Sequence, residues 1–299
     1  MANMTANGIR IEYETFGDRG NPALLLIMGL GAQMIFWDDA FCGEIASRGF
    51  HVIRFDNRDC GLSTHFPEKG IPDVFKAVTA SLAGEKVEEA PYSVGDMAAD
   101  AVALLDGLGI ARAHVVGASM GGMIAQTIAI NHPTRILSLT SIMSTTGNPE
   151  VPPAKSEALA VLLTPTPSDR AQFLDHMVQS FRIIGSPGFE LDEEGFRDRV
   201  GRAFDRSYDP AGVARQLVAA LADGNRKPRL RSVRAPTLVI HGKQDPLVPV
   251  EAGADTADAI PGARLVVIEG MGHDLPRGAW PQIVDAITDV ATSAGRAVS

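Results

Sequence analysis

The segment HVVGASMGGMIAQ, residues 114 to 126, constrains the fold more than any other part of the chain. The apolar residues before its glycines are typical of a buried strand, and those after them are typical of a helix. When a strand turns this abruptly into a helix, the central residue, Ser119, is forced into a strained backbone conformation. The residues two before and two after it must then be small, and Gly117 and Gly121 stand there. The pattern therefore predicts a sharp strand–turn–helix that exposes the hydroxyl of Ser119.

Segments with strand and helix patterns alternate along most of the chain. Residues 9–17 alternate apolar and polar side chains, which predicts a strand at the edge of a sheet. Ser93 and Asp96 form a capping pattern at the start of a helix predicted over 93–109. This alternation is typical of the α/β class, in which helices cover both faces of a mostly parallel sheet. Further strands are predicted at 22–29, 50–59, 112–117, 136–144, 235–242 and 263–270, and further helices at 120–133, near 250–260 and near 279–294.

Residues 145 to 230 interrupt the alternation. They contain many proline and charged residues and short helical patterns, but no long apolar strand. We therefore predict an α/β core in two parts, 1–144 and 231–299, with a helical lid or cap inserted at 145–230. The insertion is expected to lie over the carboxyl ends of the strands and to cover a binding site there.

Composition and charge exclude several functions. The chain has 299 residues, of which 45% are hydrophobic, enough for a large core. The net charge of −9 and the lack of a basic run argue against binding to nucleic acid or an anionic membrane. The longest uncharged stretch, 22–37, is too short to span a bilayer, and the first residues lack a signal-peptide pattern. Cys42 and Cys60 have no metal-binding spacing, so we expect two reduced thiols in a cytoplasmic protein.

A reactive serine needs a general base and an acid that orients this base. In this type of fold both follow the serine along the chain, each after a later strand. Asp245 lies in the turn after one of these strands, and His273 lies in the loop after the next. We therefore predict that Asp245 and His273 meet Ser119 at the carboxyl edge of the sheet.

Other carboxylates and histidines fit these roles less well. Asp274 adjoins His273, so its carboxylate is poorly placed to bond that ring, and Glu269 is expected on the strand itself. The segment STTGN, which follows the strand ending at Ser144, contains no carboxylate. We do not expect the remaining histidines to act as the base: His51, His65, His114, His132, His176 and His241.

The oxyanion formed during attack on a carbonyl needs two backbone N–H donors. One is expected from Met120, the residue after the serine, and the other from the loop after the first core strand. In that loop, Gly29 and Gly31 let the backbone approach a ligand closely, so Leu30 between them is the predicted second donor. Trp37, at the end of the same segment, is predicted to pack in the core.

Five short motifs resemble those of the α/β-hydrolase family over almost the whole chain. Met28 stands where the family usually has histidine in the oxyanion loop, and Asp59 and Cys60 precede Gly61 in the second motif. Within the family, the chain is most similar to bacterial carboxylesterases of the aclacinomycin methylesterase group. The motifs are MGLG (28–31), DNRDCGLS (56–63), GASMGG (117–122), HGKQDPLVP (241–249) and GMGHDLP (270–276). The polar residues of the second motif are expected to brace their loop: Asp56, Arg58 and Ser63.

The resemblance implies hydrolysis of small carboxylic esters through an acyl-enzyme on Ser119, without a metal or organic cofactor. The partner is a small-molecule ester, and lid residues such as Met177, Phe181, Phe204 and Tyr208 are candidates for contact with it. The same fold and triad also allow C–C bond hydrolysis, a lyase reaction or acyl transfer. A ligand-binding receptor on a retained hydrolase fold is a further alternative, which fast multiple turnover would exclude.

Overall fold

A computed structural model describes residues 1–296 and shows one sheet of eight strands in the order β1-β2-β4-β3-β5-β6-β7-β8. Both pairings of β2 are antiparallel, and all other neighbours are parallel. The predicted α/β-hydrolase fold with a mostly parallel sheet is thus confirmed. The strands are β1 (Ala2–Ala6), β2 (Ile9–Phe16), β3 (Ala23–Ile27), β4 (His51–Phe55), β5 (Ala113–Ala118), β6 (Ile136–Ile142), β7 (Thr237–Gly242) and β8 (Arg264–Ile268).

Helices cover both faces of the sheet. The described α-helices are α1 (Asp39–Ser47), α2 (Val74–Leu82), α3 (Val94–Gly107), α4 (Met120–Asn131), α5 (Ser156–Leu163), α6 (Arg170–Ile184), α7 (Glu193–Arg206), α8 (Pro210–Ala222), α9 (Lys227–Leu230), α10 (Val250–Ala259) and α11 (Trp280–Arg296). Short 3-10 helices lie at Met34–Phe36, Pro67–Lys69, Pro133–Arg135 and Arg277–Ala279. Helices α3 and α4 contribute to the apolar cluster on one face, and α1 and α11 to the cluster on the other.

The prediction that 9–17 forms an edge strand is wrong. β1 pairs with β2 in antiparallel register, from Ala2 opposite Tyr13 to Ala6 opposite Ile9, so β1 is the edge. Asn7 and Gly8 form the turn, both with positive φ, of 50° and 76°. An Asn-Gly pair between two extended segments is a strong hairpin signal, and it accounts for the additional strand.

Local signals elsewhere agree with the structure. All five residues of β3 are buried, as expected for a strand covered on both faces. Ser93 and Asp96 form a complete capping box at the start of α3. Trp37 is fully buried and stacks on Phe41 with ring centroids 5.6 Å apart, as predicted for a core residue.

The segment between β6 and β7 is helical, and its helices pack in two ways. α6 and α7 form a small cluster of their own, built from Leu174, Val178, Phe196 and Val200. Ala219 of α8 instead belongs to the cluster that α3 and α4 form with the sheet. The boundary of a separate lid at residue 230 therefore stays a prediction, since α8 packs with the core.

Two further expectations concern cysteines and membranes. Cys42 and Cys60 are unpaired, in agreement with the expected reduced thiols, and both are buried. Burial raises the pKa of the Cys42 thiol to about 12, so this group is a packed apolar side chain and a poor nucleophile. Among residues 1–296, each helix is too short or too polar for a bilayer crossing.

Candidate active site

Ser119 lies in the turn between β5 and α4, with φ of 55° and ψ of −122°. Positive φ is uncommon for a residue with a side chain, and it persists only where neighbours enforce it. One such neighbour is β6, because the Ser119 N–H donates to the carbonyl of Ile142 at 2.9 Å. The turn leaves the serine side chain half-buried at the carboxyl edge of the sheet.

The two glycines around Ser119 are fixed by close approach of other backbone atoms. A Cβ on Gly117 would lie 2.0 Å from the carbonyl oxygen of Gly121. A Cβ on Gly121 would lie 2.1 Å from the carbonyl oxygen of Ile27 in β3. Because real Cβ atoms do not approach so closely, only glycine fits at either position without moving the backbone.

The structure brings Ser119, His273 and Asp245 together. The Nε2 atom of His273 lies 3.0 Å from Oγ of Ser119, and its Nδ1 atom lies 2.7 Å from Oδ2 of Asp245. The His273 side chain is 8% exposed and that of Asp245 is fully buried. These distances define a continuous hydrogen-bond chain from carboxylate to imidazole to hydroxyl.

The Asp245 carboxylate is held by its own loop. Its Oδ1 accepts hydrogen bonds from the N–H groups of Leu247 and Val248, both at 2.9 Å. Oδ2 is thereby left to face the His273 ring. The buried ring of His241 is 3.6 Å from the same oxygen, but its Nε2 lies 2.8 Å from the carbonyl of Val248. Burial lowers the pKa of His241 and keeps that ring neutral.

Neither competing carboxylate contacts the ring of His273. Asp274 accepts a hydrogen bond from the hydroxyl of Ser186, in the segment after α6. Burial raises the pKa of Asp274 to about 6. The expectation that Glu269 lies on the strand is wrong by one residue: β8 ends at Ile268, and Glu269 is an exposed residue in the following turn.

The loop after β3 lies directly against the serine. A Cβ on Gly29 would be 3.0 Å from Cβ of Ser119, so the two backbones are in contact. The N–H groups of Leu30 and Met120 donate to no acceptor within residues 1–296. Two free N–H groups beside the half-buried hydroxyl agree with the donors predicted for a developing oxyanion.

The polar residues of the DNRDCGLS segment hold loops in place. Oδ1 of Asp56 accepts from the N–H of Met34 at 2.7 Å, and its Oδ2 accepts from that of Leu62 at 3.0 Å. Arg58 forms a buried two-point ion pair with Asp100 of α3, at 2.6 and 2.8 Å. Ser63 donates to the carbonyl of Asp56.

Several residues that support the site were not predicted from the sequence. The side-chain amide of Asn57 donates to the carbonyl of Met28 at 2.9 Å. The amide oxygen of Gln216 accepts from the N–H of Gly31 at 2.8 Å. The N–H of His273 donates to the carbonyl of Ile184 at the end of α6, at 2.7 Å. The partners are at least 29 residues apart in sequence, so no local pattern could identify these contacts.

One cluster has the ligand types for a metal ion, namely Asp59, His65 and Asp209. Arg215 already donates to both oxygens of Asp59 and to Oδ2 of Asp209. Its guanidinium neutralises the carboxylates and takes the position of a cation. The cluster is therefore an ion-pair network in which Asp59 and Arg215 are buried and His65 and Asp209 are half-buried. It ties α8 to the loop after β4.

Comparison with known families agrees with this architecture. The family model described as alpha/beta hydrolase fold matches residues 22–276. The chain therefore belongs to the α/β-hydrolase family.

Two curated relatives and one solved structure place it more closely. Rhodomycin D methylesterase DnrP from Streptomyces peucetius is 29% identical, with 95% of each chain covered, which confirms the expected resemblance to bacterial methylesterases. The 3-oxoadipate enol-lactonase 2 from Acinetobacter baylyi is 26% identical, with 89% of this chain and 87% of the relative covered. The crystal structure of the enol-lactonase from Burkholderia xenovorans LB400 shares the fold, with a TM-score of 0.72, 22% identity, and 97% and 100% of the two chains covered.

Proposed function

We propose that this carboxylic ester hydrolase cleaves small apolar esters through an acyl-enzyme intermediate on Ser119. The observation that carries the proposal is the hydrogen-bond chain of 2.7 and 3.0 Å that links Asp245, His273 and Ser119. The methylesterase and lactonase relatives support an ester as the substrate.

In the first half-reaction, Oγ of Ser119 attacks the acyl carbon of the ester. Asp245 accepts the Nδ1–H of His273, so Nε2 carries the lone pair that takes the serine proton. The negative charge that develops on the carbonyl oxygen accepts hydrogen bonds from the N–H groups of Leu30 and Met120. His273 then donates its proton to the leaving alcohol, and the acyl group stays on Ser119.

In the second half-reaction, water replaces the alcohol. His273 takes a proton from the water, the resulting hydroxide attacks the acyl-enzyme, and the same two N–H groups bind the oxyanion again. Collapse of the intermediate releases the carboxylic acid and returns the proton from His273 to Ser119. The residues named in the proposal therefore account for every proton transfer.

The apolar character of the substrate is inferred from side chains of the loop beside the serine and of the inserted helices. Leu30 is half-buried beside the serine, and the inserted helices carry an aromatic group in which Phe173, Phe204 and Tyr208 have centroids 5.0 to 5.5 Å apart. The relative with 29% identity is by name a methylesterase, so we propose methyl esters of small apolar acids as the first substrates to test.

The test is a panel of methyl and nitrophenyl esters of increasing acyl size, assayed with wild type and Ser119→Ala. We expect kcat of the alanine variant to fall by about 10³-fold or more on the best ester. Ser144→Ala is the matched control, because Ser144 is also a buried serine near the site but its hydroxyl has no partner. The proposal is wrong if Ser119→Ala and Ser144→Ala hydrolyse the ester equally fast.

A further inference from the structure

Hydrogen bonds hold the loop from Met28 to Met34 on both sides of Leu30. Its first carbonyl, at Met28, accepts from the side chain of Asn57, and its last N–H, at Met34, donates to Asp56. Between them, the amide of Gln33 donates to the carbonyls of Ala203 and Ser207, at 2.7 and 3.0 Å. The backbone N–H of Leu30, like those of Met28, Gly29 and Gln33, has no acceptor within residues 1–296.

The peptide that follows Leu30 is held by a helix far away in sequence. Gln216 of α8 is fully buried, and its Oε1 accepts from the N–H of Gly31 at 2.8 Å. Its Nε2 donates to the carbonyl of Arg58 at 2.6 Å, in the loop after β4. A single side chain thus links the loop beside the serine to a second loop of the core.

α8 itself cannot shift easily. Arg215, the neighbour of Gln216, forms a two-point ion pair with Asp59 at 2.7 and 2.8 Å, and both side chains are buried. On the other side, Val213 packs on Gly31, where a Cβ would lie 2.9 Å from Cγ2 of the valine. Gln216 therefore stands on a rigid helix whose position is set by the core.

We propose that Gln216 is a positioning residue that fixes the oxyanion donor Leu30. By accepting the N–H of Gly31, it fixes the Leu30–Gly31 peptide. This peptide adjoins the Gly29–Leu30 peptide that carries the Leu30 N–H, so the contact limits rotation of that N–H away from the substrate oxygen. The inference rests on the proposed function, because it assumes that the Leu30 N–H binds an oxyanion. Such donors act through precise placement, so a small displacement weakens the transition state more than the bound ester.

The test compares Gln216→Met with Gln126→Met. Gln126 in α4 is also fully buried with two hydrogen bonds, to Ser141 at 3.1 Å and from Arg226 at 3.1 Å, but it does not touch the loop. For each variant we would measure kcat, KM, the pH profile, and inhibition by a trifluoromethyl ketone analogue of the best ester. The ketone forms an oxyanion on Ser119 and therefore reports on the donors directly.

For Gln216→Met we expect kcat/KM and the affinity of the ketone to fall by the same factor, about 10- to 100-fold. KM is expected to change less than about twofold and the pH profile to stay in place, since the triad is untouched. Gln126→Met is expected to show wild-type inhibition by the ketone. Gln216→Glu keeps an acceptor for Gly31, and we expect it to recover part of the lost inhibitor affinity.

Equal inhibitor affinity in Gln216→Met and Gln126→Met would overturn this inference, as would a loss confined to KM. If Gln216→Met does not fold, the Gln216→Glu variant decides: an equal partial loss of kcat/KM and of ketone affinity supports the inference, whereas wild-type values of both, or a loss confined to KM, reject it. A fully active Ser119→Ala variant would reject the proposed function itself, which keeps the two failures apart.

Discussion

Gly29 has almost no free space beside the serine. A Cβ there would lie 3.0 Å from Cβ of Ser119 and 3.2 Å from the carbonyl oxygen of Ala118. We predict that Gly29→Ala displaces the loop by a few tenths of an ångström and lowers kcat roughly 10- to 100-fold. The measurement is steady-state kinetics on the best ester, with thermal unfolding to check the fold.

Gly43 provides the matched control. It lies within α1, and a Cβ there would meet no atom within 4 Å. Gly43→Ala should therefore raise the free energy of unfolding by up to about 1 kcal/mol and leave kcat unchanged. If Gly29→Ala also leaves kcat unchanged, the loop is not held against the serine as the structure indicates.

Asp274 should make stability depend on pH. Burial raises its pKa from 3.8 to about 6, so the folded chain favours the protonated form. Its contribution to stability is therefore complete below pH 3.8 and is lost as the pH rises through about 6. We predict that Asp274→Asn removes this loss. The unfolding free energy of the variant minus that of wild type should therefore be about 2 kcal/mol larger at pH 7.5 than at pH 4.5.

Urea unfolding at the two pH values measures the difference. Glu269→Gln removes the same type of charge from an exposed side chain nearby and controls for net charge. If the unfolding free energies of Asp274→Asn and wild type differ by the same amount at both pH values, the prediction is wrong.

A buried ion pair, Arg215–Asp59, joins α8 to the loop after β4. Arg215→Met would leave the carboxylate of Asp59 buried without its guanidinium partner, which we expect to cost about 3–5 kcal/mol of unfolding free energy. Adding Asp59→Asn removes the isolated charge, so the double variant should be more stable than the single one. Asn tolerates the positive φ of 59° at this position.

Arg170→Met tests whether burial of the ion pair is the cause of the large loss of unfolding free energy expected for Arg215→Met. Arg170 forms a similar two-point pair with Asp205, at 2.7 and 2.8 Å, but both side chains are exposed. Arg170→Met should therefore lower the unfolding free energy, measured by chemical denaturation, far less than Arg215→Met does. Equal effects of the two single variants would show that α8 is held mainly by other contacts.

The elements differ in how far the sequence predicts them. β3, α3 and the turn at Ser119 follow from local patterns: an apolar run, a capping box and spaced glycines. The placement of Asp245 and His273 after β7 and β8 follows from parallel strands that end at one edge. Their catalytic role stays a prediction.

What the sequence did not predict depends on contacts between distant segments. Gly31 and Gln216 are 185 positions apart, and neither residue carries a pattern that points to the other. The packing of α8 on the core is of the same kind, because its apolar residues fit a lid helix equally well. β1 could have been predicted from the sequence, because the Asn7–Gly8 turn is a local signal for a hairpin.

In the whole molecule, the helices inserted between β6 and β7 belong to two different apolar clusters. α6 and α7 bury a small cluster of their own with Phe36 packed against it, whereas α8 shares the large cluster with α3 and α4. Segments with fewer buried apolar contacts open at lower free energy. The part of the insertion able to open over the site is therefore expected to end near α7, before residue 210.

Hydrogen exchange under native conditions tests this division. We predict that amides of α6 and α7 exchange through low-energy openings, while those of α8 are protected to the same degree as α4. The reason is that opening α8 would break the fully buried Arg215–Asp59 pair and both hydrogen bonds of Gln216, whereas the ion pair that ties α7 to the core, Arg206–Asp56, leaves the Arg206 side chain 12% exposed. Exchange of α6, α7 and α8 as one unit would instead support a lid that extends to residue 230. In that case opening the lid would also release the loop of Leu30, and the oxyanion donors would form only in the closed enzyme.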